Sequence, residues 1–242
     1  MGHFKASFLG NEILLSDKCN VIWGASREGR IYEESLINEF YKKMIFNRDQ
    51  INFLDIGSNT GGFIFLPLLN PTIKCYAFEP NPIAFSALVE NIQLNNLKNN
   101  VECFNMGMWG ELGELELKVP LDTTDSGLAT MGNDPFRFIY DNKTGDFSTH
   151  IAYCTTIDDF FEQHKLESID AIKIDTEGAE LSILKGGEKT LKEFKPLLVL
   201  EFDDKNTLQF GYRREAILEL LQSYGYTNFE LAGQSDLFAS IL

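Results

Sequence analysis

The chain has 242 residues, 44% of them hydrophobic, which is enough for one sizeable core and too apolar for a disordered chain. Its 21 Lys and Arg against 36 Asp and Glu leave a net charge of −15. That balance argues against a general nucleic-acid binder and against docking on anionic membranes, since both need a basic footprint.

Residues 1–50 read as a small extension. Segments FKASFLG, EILLSD and NVIWG form a β-hairpin or short meander, with a turn at Gly10-Asn11. A helix follows near 33–46, with Leu36, Ile37, Phe40, Tyr41 and Met44 on one stripe. Residues 51–242 alternate strands with helices. INFLDI is a buried strand, GGFIFLPLL opens a helix that Pro67 kinks, and IKCYAF is the next strand. PIAFSALVENIQL is a helix capped by Asn81, with Pro82 in its first turn and Phe85, Leu88, Val89 and Ile92 facing the core. VECFN, ELELKV and AYCTTI are strands; IDDFFEQH is a helix and IDAIKI a strand. A helix over 179–193, the strand PLLVLEF, a helix over 213–224 and a hairpin around Gly233-Gln234 complete the chain. This alternation predicts an α/β fold with a largely parallel sheet and an antiparallel strand at its edge. The irregular stretch 120–149 reads as a lid or substrate loop.

No stretch reaches the roughly 18 apolar residues of a membrane helix, and the first residues hold no apolar leader. No membrane insertion is expected. The widely spaced Cys19, Cys75, Cys103 and Cys154 read as free thiols of a cytoplasmic protein.

Three segments carry chemistry. Asp55-Ile56-Gly57-Ser58-Asn59-Thr60-Gly61-Gly62 follows a strand and opens a helix. Its small residues let a ligand approach the backbone, and a helix N-terminus adds positive potential. It has neither the Gly-Lys-Ser/Thr of a phosphate loop nor Gly-x-Gly-x-x-Gly, which disfavours a nicotinamide oxidoreductase. Asp55, at the ligand-binding edge of the sheet, suits a cationic group. Glu79 lies 24 residues further on, before Pro80 and at the end of the next strand, where an acid accepts both ribose hydroxyls of a nucleoside. A nucleoside that carries a positive charge and requires no phosphate is S-adenosylmethionine. In the third segment, Lys173 and Asp175 share one side of a strand, with Asp175 at its carboxyl end. Glu177 and Glu180 follow, and Glu180 reads as a first-turn acid.

The segments FLDIGSNTGGF, AFEPNPIAFSALVENIQLNNL, GMWGELGELEL, TTIDDF, IDAIKIDTEGAELSILKGG and KPLLVLEF occur in this order. From Ile51 to about Phe202 the chain resembles the FkbM-type methyltransferases, which depend on S-adenosylmethionine. Ser58 stands where that family often has Ala, and Thr176 where it often has Val. The resemblance implies a class I methyltransferase fold: Rossmann-like, with a seven-stranded mostly parallel sheet and an antiparallel last strand. It implies O-methylation of a hydroxyl on a small acceptor, often a sugar or natural product. It places Asp55, Gly57, Ser58, Asn59 and Gly61 around the methionine part of the cofactor, Glu79 and Pro80 at the ribose, and Asn105, Met106, Gly107 and Met108 at the adenine. Asp175 falls beside the transferring methyl.

Asp175, Lys173 and His150 are the catalytic candidates; His150 stands where the long loop re-enters a strand. His164 reads as a cation at a helix end, and His3 adjoins the terminus. Glu201 or Asp203 with Asp175 are candidate ligands of a divalent metal. Arg27, Arg30, Arg213 and Arg214 are candidates for a phosphate clamp, while Trp23 and Trp109 read as packing residues. The expected partner is a sugar or sugar nucleotide and not a nucleic acid. Methylation of RNA ribose and non-catalytic nucleoside binding are the alternatives.

Overall fold

The computed structural model describes residues 2–18, 29, 31–44, 48–121, 129, 131, 147–233 and 235–241. Strands β1 (His3–Phe8) and β2 (Asn11–Ser16) form an antiparallel hairpin. Its turn is Leu9-Gly10, one residue earlier than expected, and both residues take positive φ, the backbone twist that suits a tight hairpin. Segment NVIWG lies outside the described residues. Helix α1 (Glu34–Lys43) buries Ile37 and Phe40.

Strand β3 (Ile51–Ile56) is buried along its whole length. The next segment, Phe63–Leu68, is a 3-10 helix. Pro67 lies inside it and has no N–H for a regular helical bond. Strand β4 (Ile73–Phe78) leads to α2 (Pro82–Leu94), whose cap Asn81 accepts a bond from the Ile83 N–H. Helix α2 buries Ala84, Ala87, Leu88, Asn91 and Ile92, while Phe85 and Val89 are only half-buried.

Strands β5 (Val101–Phe104), β6 (Gly107–Met108), β7 (Gly113–Pro120) and β8 (Phe147–Thr155) follow. Most of the 120–149 loop lies outside the described residues, but its two ends belong to β7 and β8. Then come α3 (Ile157–His164) and β9 (Ala171–Ile174). The helix expected over 179–193 is two helices, α4 (Glu180–Lys185) and α5 (Glu188–Phe194). They part at Gly186-Gly187, where a Cβ on Gly186 would lie 2.4 Å from the Trp109 carbonyl, so position 186 requires a glycine. Strand β10 (Leu197–Glu201), α6 (Asp204–Thr207), α7 (Glu215–Ser223), β11 (Asn228–Ala232) and β12 (Asp236–Ser240) complete the fold.

The main sheet has seven strands in the order β11-β12-β10-β9-β3-β4-β5. All run parallel except β12, which is antiparallel to both its neighbours. The reversed strand is therefore slotted inside the sheet, and β11 forms the edge. Alternating strand residues face two cores. One face carries Phe53, Cys75 and Val199 under the hairpin and α1; the other carries Leu54, Phe78 and Leu200 under α3, α4 and α7. Covering both faces is what makes such strands apolar throughout. A second sheet of three strands, order β6-β8-β7, projects beside the first. Sequence reading missed β6, a two-residue strand defined only by its pairing with β8.

Among the described residues, no helix is long and apolar enough to cross a membrane. Cys75, Cys103 and Cys154 are free, and burial pushes each thiol up. Cys19 lies outside the described residues.

Candidate functional site

A cavity of about 700 Å³ opens at the carboxyl ends of β3, β4, β9 and β10, the edge at which open α/β sheets bind ligands. Its floor is the turn Gly57–Gly62. Gly57 has φ +75°, and a Cβ there would lie 1.9 Å from the Asp175 carbonyl oxygen. The glycine therefore lets the ends of β3 and β9 touch. The N–H groups of Gly57 and Ser58 donate to the Phe78 carbonyl at 3.0 and 2.9 Å. Only a short 3-10 segment follows the turn, so the expected contribution of a regular helix N-terminus does not apply.

Glu79 closes one wall. Its Oε2 accepts from the Asn59 N–H at 2.7 Å and its Oε1 from the Asn81 N–H at 2.8 Å. Burial raises this carboxyl to about 7, against the lowering effect of those N–H groups and of Lys173. Pro80, Gly107 and Met108 continue the wall. Asn105 and Met106 do not line it. The Asn105 side-chain amide donates to the carbonyls of Glu79 and Pro80, and Met106 packs against the core beneath α3.

Asp55 does not line the cavity either. It is fully buried below the turn, and among the described residues neither carboxylate oxygen has a hydrogen-bond partner. The cation expected from a ligand is supplied by the chain itself: Lys173 Nζ lies 3.6 Å from Asp55 Oδ1. Burial raises the Asp55 carboxyl, partly offset by Lys173. Lys173 Nζ also lies 3.5 Å from Asp175 Oδ2 and donates to the Gly57 carbonyl at 2.5 Å. Burial alone would lower the lysine, but Asp175, Asp55, Glu33 and Glu79 together raise it.

The opposite wall is acidic. Asp175, Glu177, Glu201, Asp236 and Glu33 all line the cavity, and Lys173 is the one basic lining side chain among the described residues. Asp175, Glu177 and Glu201 bring carboxylate oxygens within 4.8 Å of one another, a spacing that suits a hard divalent cation. The Asn206 amide ties Glu177 and Glu201 together. Asp203 does not join them, because its side chain caps α6 by accepting from the Lys205 N–H. Glu180 is buried under its own loop, accepting from the N–H groups of Thr176 and Gly178. It fixes the backbone that presents Asp175 and Glu177.

His150 is half-buried on β8, its Nε2 2.9 Å from Ser148 Oγ, and does not line the cavity. His164 ends α3 with its ring 3.9 Å from that of Phe160. Arg214 stacks on Phe202 at 4.9 Å, away from the cavity, and Trp109 packs on Phe210. Arg27, Arg30 and Trp23 lie outside the described residues.

Sequence reading missed four contributors. Ile31, Tyr32 and Glu33 come from the extension, and Asp236 from β12, where it pairs in register with Glu201. Burial, with the charges of Asp175 and Asp236, raises Glu33 to about 7; burial and Asp175 raise Asp236 to about 6. No local pattern marks these residues, since only the strand order brings them to the cavity. Glu177, next to Gly178, and Glu33 both take positive φ, a strained state in a non-glycine residue that is visible only in the folded chain.

The model of the methyltransferase FkbM domain matches residues 55–227. The 2-O-methyltransferase NoeI of Sinorhizobium fredii is 28% identical over 187 residues, covering 75% of this chain and 73% of that protein. Methyltransferase sdnD of Sordaria araneosa is 27% identical over 193 residues, covering 71% and 73%. Among solved structures, an FkbM methyltransferase from Methylobacillus flagellatus superposes with a TM-score of 0.51 at 18% identity. That match covers 81% of this chain and 45% of the other, and it bears on the fold alone. With the domain match spanning most of its length, the chain belongs to the FkbM family of methyltransferases.

Proposed function

We propose that this protein transfers a methyl group from S-adenosylmethionine to a hydroxyl of a small carbohydrate-type acceptor, a sugar or sugar nucleotide. The observation that carries the reading is Glu79. Its carboxylate is buried, oriented by two backbone N–H groups and set in the wall of a cavity of about 700 Å³, within the usual range for ligand sites. A carboxylate has about four acceptor sites, so both oxygens retain capacity for ribose hydroxyls. Glycine positions on the floor admit close backbone approach, and Gly107 and Met108 line the wall beyond Glu79. These residues fit the cofactor.

When bound, S-adenosylmethionine supplies an electrophilic methyl group on a positively charged sulfur. The chain does the rest. The turn and Glu79 fix one reactant, and the acidic wall accepts hydrogen bonds from acceptor hydroxyls, orienting one of them. Holding nucleophile and electrophile in line accounts for most of the rate. Asp175 takes the acceptor's hydroxyl proton onto a carboxylate oxygen. On this route no metal is needed, and treatment with EDTA leaves turnover intact. Loss of activity on chelation would move Asp175, Glu177 and Glu201 to the role of metal ligands.

Transfer to a hydroxyl is supported by the 2-O-methyltransferase relative, and a small acceptor in place of a nucleic acid by the acidic wall, which repels a polyanion. The test offers labelled methyl donor with pools of nucleotide sugars and, separately, with RNA. Sugar labelling is expected, and labelling of RNA alone would reject the reading.

A further inference from the structure

We propose that Lys173 is a positioning residue: its ammonium group joins Asp55, the Gly57 carbonyl and Asp175 into one unit, so that the cofactor turn and the reacting end of β9 are held in a single geometry. The inference rests on the reading above, in which that turn and Asp175 face the two reactants.

Three contacts carry it. Lys173 Nζ donates to the Gly57 carbonyl at 2.5 Å, at the turn where a Cβ would strike the Asp175 carbonyl. It lies 3.6 Å from a carboxylate of Asp55 whose two oxygens are buried and, among the described residues, have no hydrogen-bond partner. It lies 3.5 Å from Asp175, which faces the cavity. An ammonium has three donors on a flexible stem and can serve three oxygens in different directions, which a planar guanidinium cannot. The register explains why this residue does so: Asp55 and Lys173 are neighbours across the β3–β9 ladder, and the next inward-facing residue of β9's line is Asp175. Asp55 is thus the anchor that orients the lysine, and the lysine orients Asp175. Nothing here requires the lysine to exchange a proton.

Removing one member of a buried pair strands the other, so Lys173→Met alone conflates folding with chemistry. The informative variant is the double Asp55→Asn/Lys173→Met, which removes both charges at nearly constant volume; Lys173→Arg, which keeps the charge for Asp55, is the second. The wild type is first titrated with the demethylated product of the cofactor. No binding there rejects the cofactor reading itself, before any variant is read. Given binding, each folded variant, judged by its thermal melt, should lose about a hundredfold in kcat, the usual cost of a misplacement near 1 Å. Acceptor KM should change far less. A purely structural lysine would leave kcat unchanged once the fold is retained. Wild-type kcat in either folded variant overturns the proposal.

Discussion

The Glu79 carboxylate is held by two N–H donors before any ligand arrives, so its orientation costs nothing on binding. Losing a charge-assisted acceptor costs about 1.5–3 kcal/mol, so Glu79→Ala should weaken the demethylated product by roughly ten- to a hundredfold in calorimetric titration. Unchanged affinity would remove Glu79 from the nucleoside site. Asp175 differs in being solvent-accessible, its side chain 38% exposed at the cavity mouth. Asp175→Asn should cut turnover by ~10²–10⁴-fold, the worth of a proton-transfer group, while product affinity is largely kept. Wild-type turnover in that variant would refute the role of Asp175 as base and as metal ligand together. His150 bonds to Ser148 outside the cavity lining, which removes the histidine as the obvious helper of that carboxylate.

Among the elements, the N-terminal hairpin is joined to the cofactor turn through one buried amide. Asn91 on α2 accepts from the Ser16 N–H at 2.7 Å and donates to the Thr60 carbonyl at 2.8 Å. Asn91→Ala leaves both backbone groups buried without that partner, at about 1–3 kcal/mol each. It should lower the melting temperature and weaken product binding together, because Thr60 lines the cavity floor. A variant that melts and binds like wild type would show that hairpin and turn are independent. Most elements could be read from the chain because their signals are local. The apolar run of β3 and the cap and proline that open α2 need no partner to be recognised. What escaped reading depends on distant chain. Strand β6 exists only by pairing with β8. The site divides in the same way. Glu79 was legible from its distance to the turn, whereas Glu33 and Asp236 reach the cavity through tertiary contact alone. Asp55 had the right residue type in the right strand, but the ammonium that meets it belongs to the protein.

For the whole molecule, the crowding of carboxyls around one lysine predicts a pH dependence. Glu79 and Glu33 are raised from 4.5 to about 7, and Asp236 from 3.8 to about 6, burial being the first cause in each. These groups hold protons more tightly in the folded chain than in the unfolded one, so stability falls as pH rises between the two values. The window runs from about 4 to about 7, and Glu79 alone contributes roughly 3 kcal/mol across it. Lys173 acts in the other sense. Its raised pKa stabilises the fold throughout this window, and that contribution fades only in strongly alkaline solution. The ligand-free protein should therefore melt at a higher temperature at pH 5 than at pH 8. A melting temperature that is level or rising over that range would contradict the proposed burial of these charges.

The cavity wall formed by Ile31, Tyr32, Glu33 and Ile37, with Asp236 beside it, lies outside the segment 55–227 that this chain shares with its family. The shared segment carries the turn, Glu79 and three members of the acidic wall, Asp175, Glu177 and Glu201, and the flanking chain adds Glu33 and Asp236. One wall of the cavity is thus stitched from a part that the family match spans and a part that it does not. Grafting the leading segment of a relative onto this body is expected to alter the second part and to leave the turn and Glu79 in place, which titration of the chimaera with the demethylated product would check.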